Sequence, residues 1–288
     1  MAVDRYTAVW ISHTSISDFL KCSRAYYLKN IYRDPNTGHK IKLMTPPLAL
    51  GQAVHEVVEL LSLLPKDRRF NEPLMDIFAR IWQKLSGKKG GFIDPKIEAR
   101  YRSRGIEMIS RLAKNPGPLS NLALKLKTNL PFYWLSEEDN LILCGKIDWL
   151  EYLPASDSVH IIDFKTGKAG ESPKSLQLPI YFLLARNCQK RPVTKVSYWH
   201  LERNDQPTEE ALPDLKEAHR RVLKIGKRIK LIRQLERFKC PQKDGCSACR
   251  PYESILRAEA ELVGVNEFNQ DIYIGRKSGR DDEAVLIL

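Results

Sequence analysis

The chain has 288 residues, 43% of them hydrophobic, enough to bury the core of one large domain or two small ones. It holds no run of eighteen apolar residues, which argues against a membrane span, and its start, MAVDRYTAVWISHTS, lacks the charged-then-apolar build of a secretory signal, so a cytoplasmic setting is expected. Lys and Arg outnumber Asp and Glu by 47 to 35, a net charge of +12, which favours a polyanionic partner without separating DNA, RNA and a membrane surface.

Residues 12–33, SHTSISDFLKCSRAYYLKNIYR, predict a helix capped by Ser15 or Ser17 that carries Phe19, Leu20, Tyr26, Tyr27 and Leu28. Residues 34–47 contain Pro35, Asn36, Gly38, Pro46 and Pro47 and predict a loop. Residues 48–64, LALGQAVHEVVELLSLL, predict an apolar helix with Gly51, His55 and Glu59 on one face. A lone histidine there is more often a hydrogen-bond partner than a ligand. Residues 65–125 read as mostly helical, with helices over 73–85 and 95–114. The second carries Lys96, Arg100, Arg102, Arg104, Arg111 and Lys114, a charge run that is ordinarily a solvated face. Pro116, Gly117 and Pro118 end it.

Residues 128–135 and 141–152 predict two antiparallel strands joined by a polar turn at 136–140. Residues 158–165 predict a third strand. Each of two apolar runs ends in an acid, Asp148 and Asp163, and Lys165 follows Asp163 by two. Side chains at i and i+2 of a strand share a face, so Asp163 and Lys165 project together. A carboxylate beside an ammonium can hold a divalent metal while the lysine contacts water or phosphate, which suits metal-assisted phosphodiester hydrolysis. An isolated Asp-x-Lys is common and mostly structural; the order and spacing of its neighbours carry the specificity. Gly167 can end the strand in a turn. Residues 173–187 predict a helix with Pro173 at its start, which Pro179 would kink or shift. Gln177 and Tyr181 fall on one face of it. Residues 193–201 predict a fourth strand.

Residues 213–239 predict a long amphipathic helix with apolar Leu215, Ala218, Val222, Ile225, Ile229 and Ile232. From Lys216 to Lys239 it has ten Lys or Arg and two Glu, so its exposed face could track a phosphate backbone. After 262 the chain is weakly patterned, with a short strand at 271–274. Of six cysteines, Cys240, Cys246 and Cys249 cluster within ten residues, which points to metal or cluster ligation. A reducing compartment argues against a disulfide framework.

Together, Gly145-x-Ile147-Asp148, Ile162-Asp163-Phe164-Lys165-Thr166-Gly167-Lys168 and Gln177-x-x-x-Tyr181 resemble the PD-(D/E)xK nucleases of the RecB type. That group includes the RecB and AddB nuclease domains and the CRISPR-adaptation exonucleases. The resemblance implies a restriction-endonuclease-like α/β core, a mixed central sheet flanked by helices. One nuclease domain would cover 1–262, with a helical insertion at about 65–125 and the cysteine cluster at 240–249, followed by a tail at 263–288. It also implies hydrolysis of DNA, single-stranded DNA first, in repair, recombination or CRISPR adaptation.

The same resemblance assigns roles. His55, Asp148, Asp163 and the carbonyl of Phe164 would hold one or two Mg²⁺ or Mn²⁺ ions, and the imidazole tilts the preference to Mn²⁺. Lys165 would position or deprotonate the attacking water. Gln177 and Tyr181 would anchor nucleic acid or Lys165. Arg24 would approach a phosphate, and Arg220, Arg221, Lys227 and Arg228 would line the backbone path. In the iron–sulfur subset of the superfamily, one N-terminal cysteine and three C-terminal ones hold a 4Fe-4S cluster, which makes Cys22 the fourth ligand. The usual order is Cys-x2-Cys with the last cysteine some five residues on. Here Ile255 occupies that later place and Cys240 lies upstream. Zn²⁺ is the rival for a four-cysteine site. Cys144 and Cys188 fall outside the set. A helicase or CRISPR-adaptation partner is implied, and no Gly-x-x-x-x-Gly-Lys-Ser/Thr motif occurs in the chain. A non-catalytic binding module and an RNA nuclease share these motifs, because the motifs read phosphate.

Overall fold

The computed structural model describes residues 4–275, apart from 127 and 129. Strand β1 (Val9–Ile11) leads into α1 (His13–Lys21) and α2 (Ser23–Asn30). The single helix expected over 12–33 is two, because Cys22 between them is extended (φ −168, ψ 123). The cap is Ser12, whose side chain accepts from the amide of Ser15 while Ser15 answers to the amide of Ser12. The expected loop at 34–47 contains β2 (Lys40–Leu43), and its two prolines open α3 (Pro46–Leu63). Proline fits there because the first helical amides have no intrahelical partner. Helices α4 (Leu74–Lys84) and α5 (Pro95–Lys114) follow as expected.

Strands β3 (Phe132–Ser136) and β4 (Leu141–Cys144) form the antiparallel hairpin, with Phe132 opposite Cys144. Of the strand expected from 128, residue 129 lies outside the described residues, and β3 starts at Phe132. The strand expected over 141–152 is interrupted. It stops at Cys144 and resumes as β5 (Trp149–Leu153), which leaves Gly145 to Asp148 outside both ladders. Strand β6 (Ser158–Lys165) pairs antiparallel with β5 and parallel with β7 (Val193–His200). Between β6 and β7 lies α6 (Gln177–Cys188), which packs on β3, β6 and β7. It begins four residues later than Pro173, and Pro179 falls in its first turn, where a missing N–H leaves no bond unmade.

The expected mixed sheet is therefore divided. One sheet runs β1-β4-β3, and the other runs β5-β6-β7 with the short strand β8 (Thr208–Glu210) at its edge. Helix α7 (Leu215–Gln234) packs against α6, α1 and β3. After α8 (Arg250–Leu256) come β9 (Ala260–Val265) and β10 (Gln270–Gly275). Strand β10 lies between β9 and β2 in a third sheet. The line drawn at residue 262 between domain and tail thus runs through β9. Residues 276–288 of the tail lie outside the described residues.

Strand β6 is buried on both faces, as the continuous apolar run of a central strand requires. Ile162 and Phe164 face a core with α3, α4 and α5; Val159 and Ile161 face a second core with α6 and α7. The buried His160 ties three strands, reaching Glu151 of β5 at 2.8 Å and Ser197 of β7 at 2.7 Å. By the same alternation Asp163 and Lys165 share the α6 side of the sheet. No helix among the described residues is long and apolar enough to cross a membrane.

Candidate active site

Asp163 sits at the end of β6 with no exposed surface. Its Oδ1 accepts from Gln177 Nε2 at 2.6 Å. The same amide nitrogen donates to Tyr181 Oη at 3.3 Å, and the amide oxygen of Gln177 accepts from Lys165 Nζ. One turn of α6 therefore fixes both residues of the Asp-x-Lys pair. Lys165 Nζ lies 2.9 Å from Asp163 Oδ2 and 3.0 Å from Glu171 Oε1.

Asp148 reaches the same place from the gap between β4 and β5. Its Oδ2 accepts from the amide of Phe164 at 3.1 Å and lies 3.3 Å from His55 Nδ1. His55 comes from α3, which passes the end of β6 closely enough that a Cβ on Gly51 would lie 3.5 Å from Thr166 Oγ1. The sequence thus converges from four elements, α3, the β4–β5 gap, β6 and α6. A groove of about 260 Å³ opens beside it, lined by His55, Glu59, Lys125, Lys146, Asp148 and Trp149 among others.

Electrostatics set the four groups apart. Burial raises the carboxyl of Asp163, and the charge of Asp148 raises it further, to about 7. Burial also opposes ionisation of Asp148, but His55 outweighs it and holds that carboxyl below its ordinary value. Burial disfavours charged His55, yet Asp148 wins and lifts the imidazole to about 9. Burial works against Lys165 too, and Asp163 with Glu171 overcomes it, so the ammonium is held charged. The depressed pKa that a lysine base requires is therefore not what these neighbours produce.

The family model of the PD-(D/E)XK nuclease superfamily matches residues 10–255 of this chain. The chain belongs to this superfamily. Its restriction-endonuclease-like core is also similar to the crystal structure of a putative exonuclease from Eubacterium rectale, 14% identical, with a TM-score of 0.50 over 84% of this chain and 87% of that one. No curated protein matches the chain. It is thus a nuclease, a hydrolase of nucleic acid, in a superfamily whose members generally use divalent metals.

The donor set of the nuclease suits such a metal. Asp163 Oδ2 is buried and accepts no aligned hydrogen bond, despite the nearby Lys165 charge. Two carboxylates with an imidazole are ligands for Mn²⁺ or Mg²⁺.

Sequence reasoning missed Glu171, which lies in the loop after β6, where no periodicity marks it. It also missed His13 and His200. Burial first, then the charge of Lys165, lowers His13 to about 4. His200 stands opposite Lys165 in the β6–β7 register, and its buried Nδ1 has no partner.

The basic residues expected along the nucleic acid each make a contact within the chain. Arg24 is held by Glu253 through bonds of 2.6 and 3.2 Å and lies over the ring of Tyr27. Arg220 pairs with Glu217, Lys227 with Asp139 at 2.9 Å, and Arg228 covers Phe19. Arg221 points to the loop before α6, donating to the carbonyl of Lys174 at 3.4 Å. Arg104 pairs with Glu202 and donates to the carbonyl of Thr166 at 3.3 Å, at the edge of the site.

The structure brings Cys22, Cys240, Cys246 and Cys249 together, with all four Sγ atoms within 4.8 Å of one another. Among the described residues this is the one such gathering of metal-ligating side chains, and the acids and His55 are spaced more widely. Beside it Ser23 Oγ donates to the carbonyl of Lys239, across 216 residues of chain. Cys144 and Cys188 lie elsewhere, each with its thiol on a backbone carbonyl at 3.5 Å.

Proposed function

We propose that this nuclease hydrolyses DNA phosphodiesters, acting on single-stranded DNA from an end, in repair, recombination or CRISPR adaptation. The observation that carries the reading is the convergence of Asp148, Asp163, Lys165 and Gln177 beside His55, with His55 and Asp148 lining an adjoining groove. The name of the structural neighbour from Eubacterium rectale supports action from an end.

His55, Asp148, Asp163 and the carbonyl of Phe164 would hold Mg²⁺ or Mn²⁺. An ion held there would supply acidification of a coordinated water and offset charge building on the phosphate. Without metal, Lys165 is held protonated between Asp163 and Glu171, and as a cation it would orient water or phosphate. Gln177 locks both partners of that pair: its oxygen accepts from Lys165, and its nitrogen donates to Asp163. Tyr181, whose burial keeps its phenol protonated, holds Gln177 in turn. Asp148 orients His55 across 3.3 Å and accepts from the backbone amide of Phe164.

The test is cleavage of end-labelled linear single strands beside circular single strands and RNA, with Mn²⁺ or Mg²⁺. Linear DNA should be degraded, and circular DNA and RNA should survive. Cleavage of the circle would overturn action from an end. Equal cleavage of RNA would overturn the preference for DNA.

A further inference from the structure

The thiols of Cys22, Cys240, Cys246 and Cys249 form a second centre, removed from the acidic one. We propose that it binds a single zinc ion in a tetrahedral thiolate site rather than the 4Fe-4S cluster that the family resemblance implies.

Distance favours a lone ion. A lone ion with Zn–S bonds of ~2.3 Å sets its four sulfurs ~3.8 Å apart. Cys246 Sγ and Cys249 Sγ are 3.8 Å apart, and no pair of the four exceeds 4.8 Å. In a cubane, each thiolate binds its own iron at a separate corner, which spreads the sulfurs to roughly 6 Å. Four irons and four sulfides do not fit inside the observed spacing. Packing closes one side of the site. Ala25 and Leu28 are fully buried against the thiols, and a Cβ on Gly245 would already lie 3.3 Å from Cys249 Sγ.

The ligand order points the same way. At the place where the cluster-bearing relatives carry their last cysteine, this chain has Ile255. That side chain is buried with Ile41 and Ala260, in an apolar cluster distinct from the one around the thiols. The vacancy is therefore filled by core packing, and Cys240 supplies the fourth sulfur from the other side of Cys246. Backbone amides complete the surroundings of the site: Cys246 N donates to Cys249 Sγ at 3.3 Å, and Gln242 N to Cys240 Sγ at 3.4 Å. Such donors stabilise thiolates on a divalent ion. Zinc has no redox chemistry, so the role is to staple the α1–α2 break to the segment before α8.

Metal analysis of the full chain, purified without oxygen, tests the assignment. One zinc per chain, negligible iron and labile sulfide, and no brown absorbance are expected. X-ray absorption at the zinc edge should show four sulfurs at ~2.3 Å and no neighbouring metal. Four irons and four labile sulfides per chain would overturn the proposal, as would metal-free protein that takes up neither Zn²⁺ nor Co²⁺. Cys240→Ser should bind zinc at least tenfold more weakly, and Cys188→Ser should keep it. A full zinc complement in Cys240→Ser would also overturn the proposal. Should that variant fail to fold, the sulfur count at the zinc edge of the wild type decides. These readouts are independent of DNA cleavage, so they stand or fall apart from the nuclease reading.

Discussion

Asp163 is an acid built into a core, and its proton carries information. Its folded carboxyl titrates near 7 against an ordinary 3.8, so the folded state binds the proton more tightly than the unfolded one. Without metal, the contribution of Asp163 to stability should therefore fall as pH rises from about 4 to about 7 and then level off, while the raised imidazole of His55 loses its own contribution between about 6.5 and about 9. Asp163→Asn removes that dependence. Its melting temperature should exceed that of the wild type increasingly across this interval, with a constant gap above it. Thermal melts in chelator at several pH values check this, and parallel curves would contradict it. For cleavage, Lys165→Ala should lose more than the ~100-fold that bounds a change remote from the metal, because its ammonium faces the reacting groups. Fold and DNA binding should persist, as circular dichroism and strand-binding titrations would show. His55→Ala should raise the Mn²⁺ concentration needed for half-maximal rate. A purely structural His55 would instead lower the melting temperature and leave that requirement unchanged. Asp163, Lys165, Gln177 and Tyr181 were legible because i+2 on a strand and i+4 on a helix fix relative direction. Glu171 was not, because a loop has no period.

At the scale of elements, α7 is the case where charge has to be read together with its partners. Its eight basic residues suggest an open phosphate track, yet Arg220 and Lys227 each have a carboxylate partner. A single strand contributes about −0.7 to the log–log salt slope for each phosphate contacted. Replacing Arg220, Arg221, Lys227 and Arg228 by Gln should therefore flatten the slope by about 1.4, for two free contacts, rather than about 2.8, for four. Binding titrations at several salt concentrations distinguish these values, and no change would assign the path to other residues such as Lys125 and Lys146 beside the groove. Helix α6 shows the reverse. Its start was uncertain from sequence because Pro173 and Pro179 both qualify, and the bonds of Gln177 decide it. With the start at Gln177, that side chain bonds both Asp163 and Lys165.

At the scale of the whole molecule, both ends of the described chain are drawn into the fold. Strand β10 is the middle strand of its sheet, and Ile272 and Ile274 join the core of α3, α4 and α5. A chain ended at residue 262 would expose β2 and half of β9 and lose two buried isoleucines. Each such burial contributes roughly 1.5–3 kcal/mol, a large share of a domain's net stability of about 5–15 kcal/mol. The shortened chain should show no cooperative thermal transition. A sharp melt near that of the full chain would mean the third sheet is dispensable.

The sequence by itself determined the local pieces and their chemistry: helices over 73–85 and 95–114, the hairpin around 136–140, the Asp-x-Lys strand and the Gln–Tyr helix face. Each rests on spacing within a single element, where backbone geometry alone sets which side chains meet. Only the tertiary structure decided what joins them. It placed His55 against Asp148 across 93 residues of chain, divided the sheet so that Asp148 escapes its ladder, and set Glu171 on Lys165. It also drew Cys22 to three cysteines at the far end of the chain, with all four Sγ atoms within 4.8 Å of one another. The physical reason is that these meetings follow from how helices and strands pack around two buried cores, and packing between distant segments leaves no period in the chain that makes it.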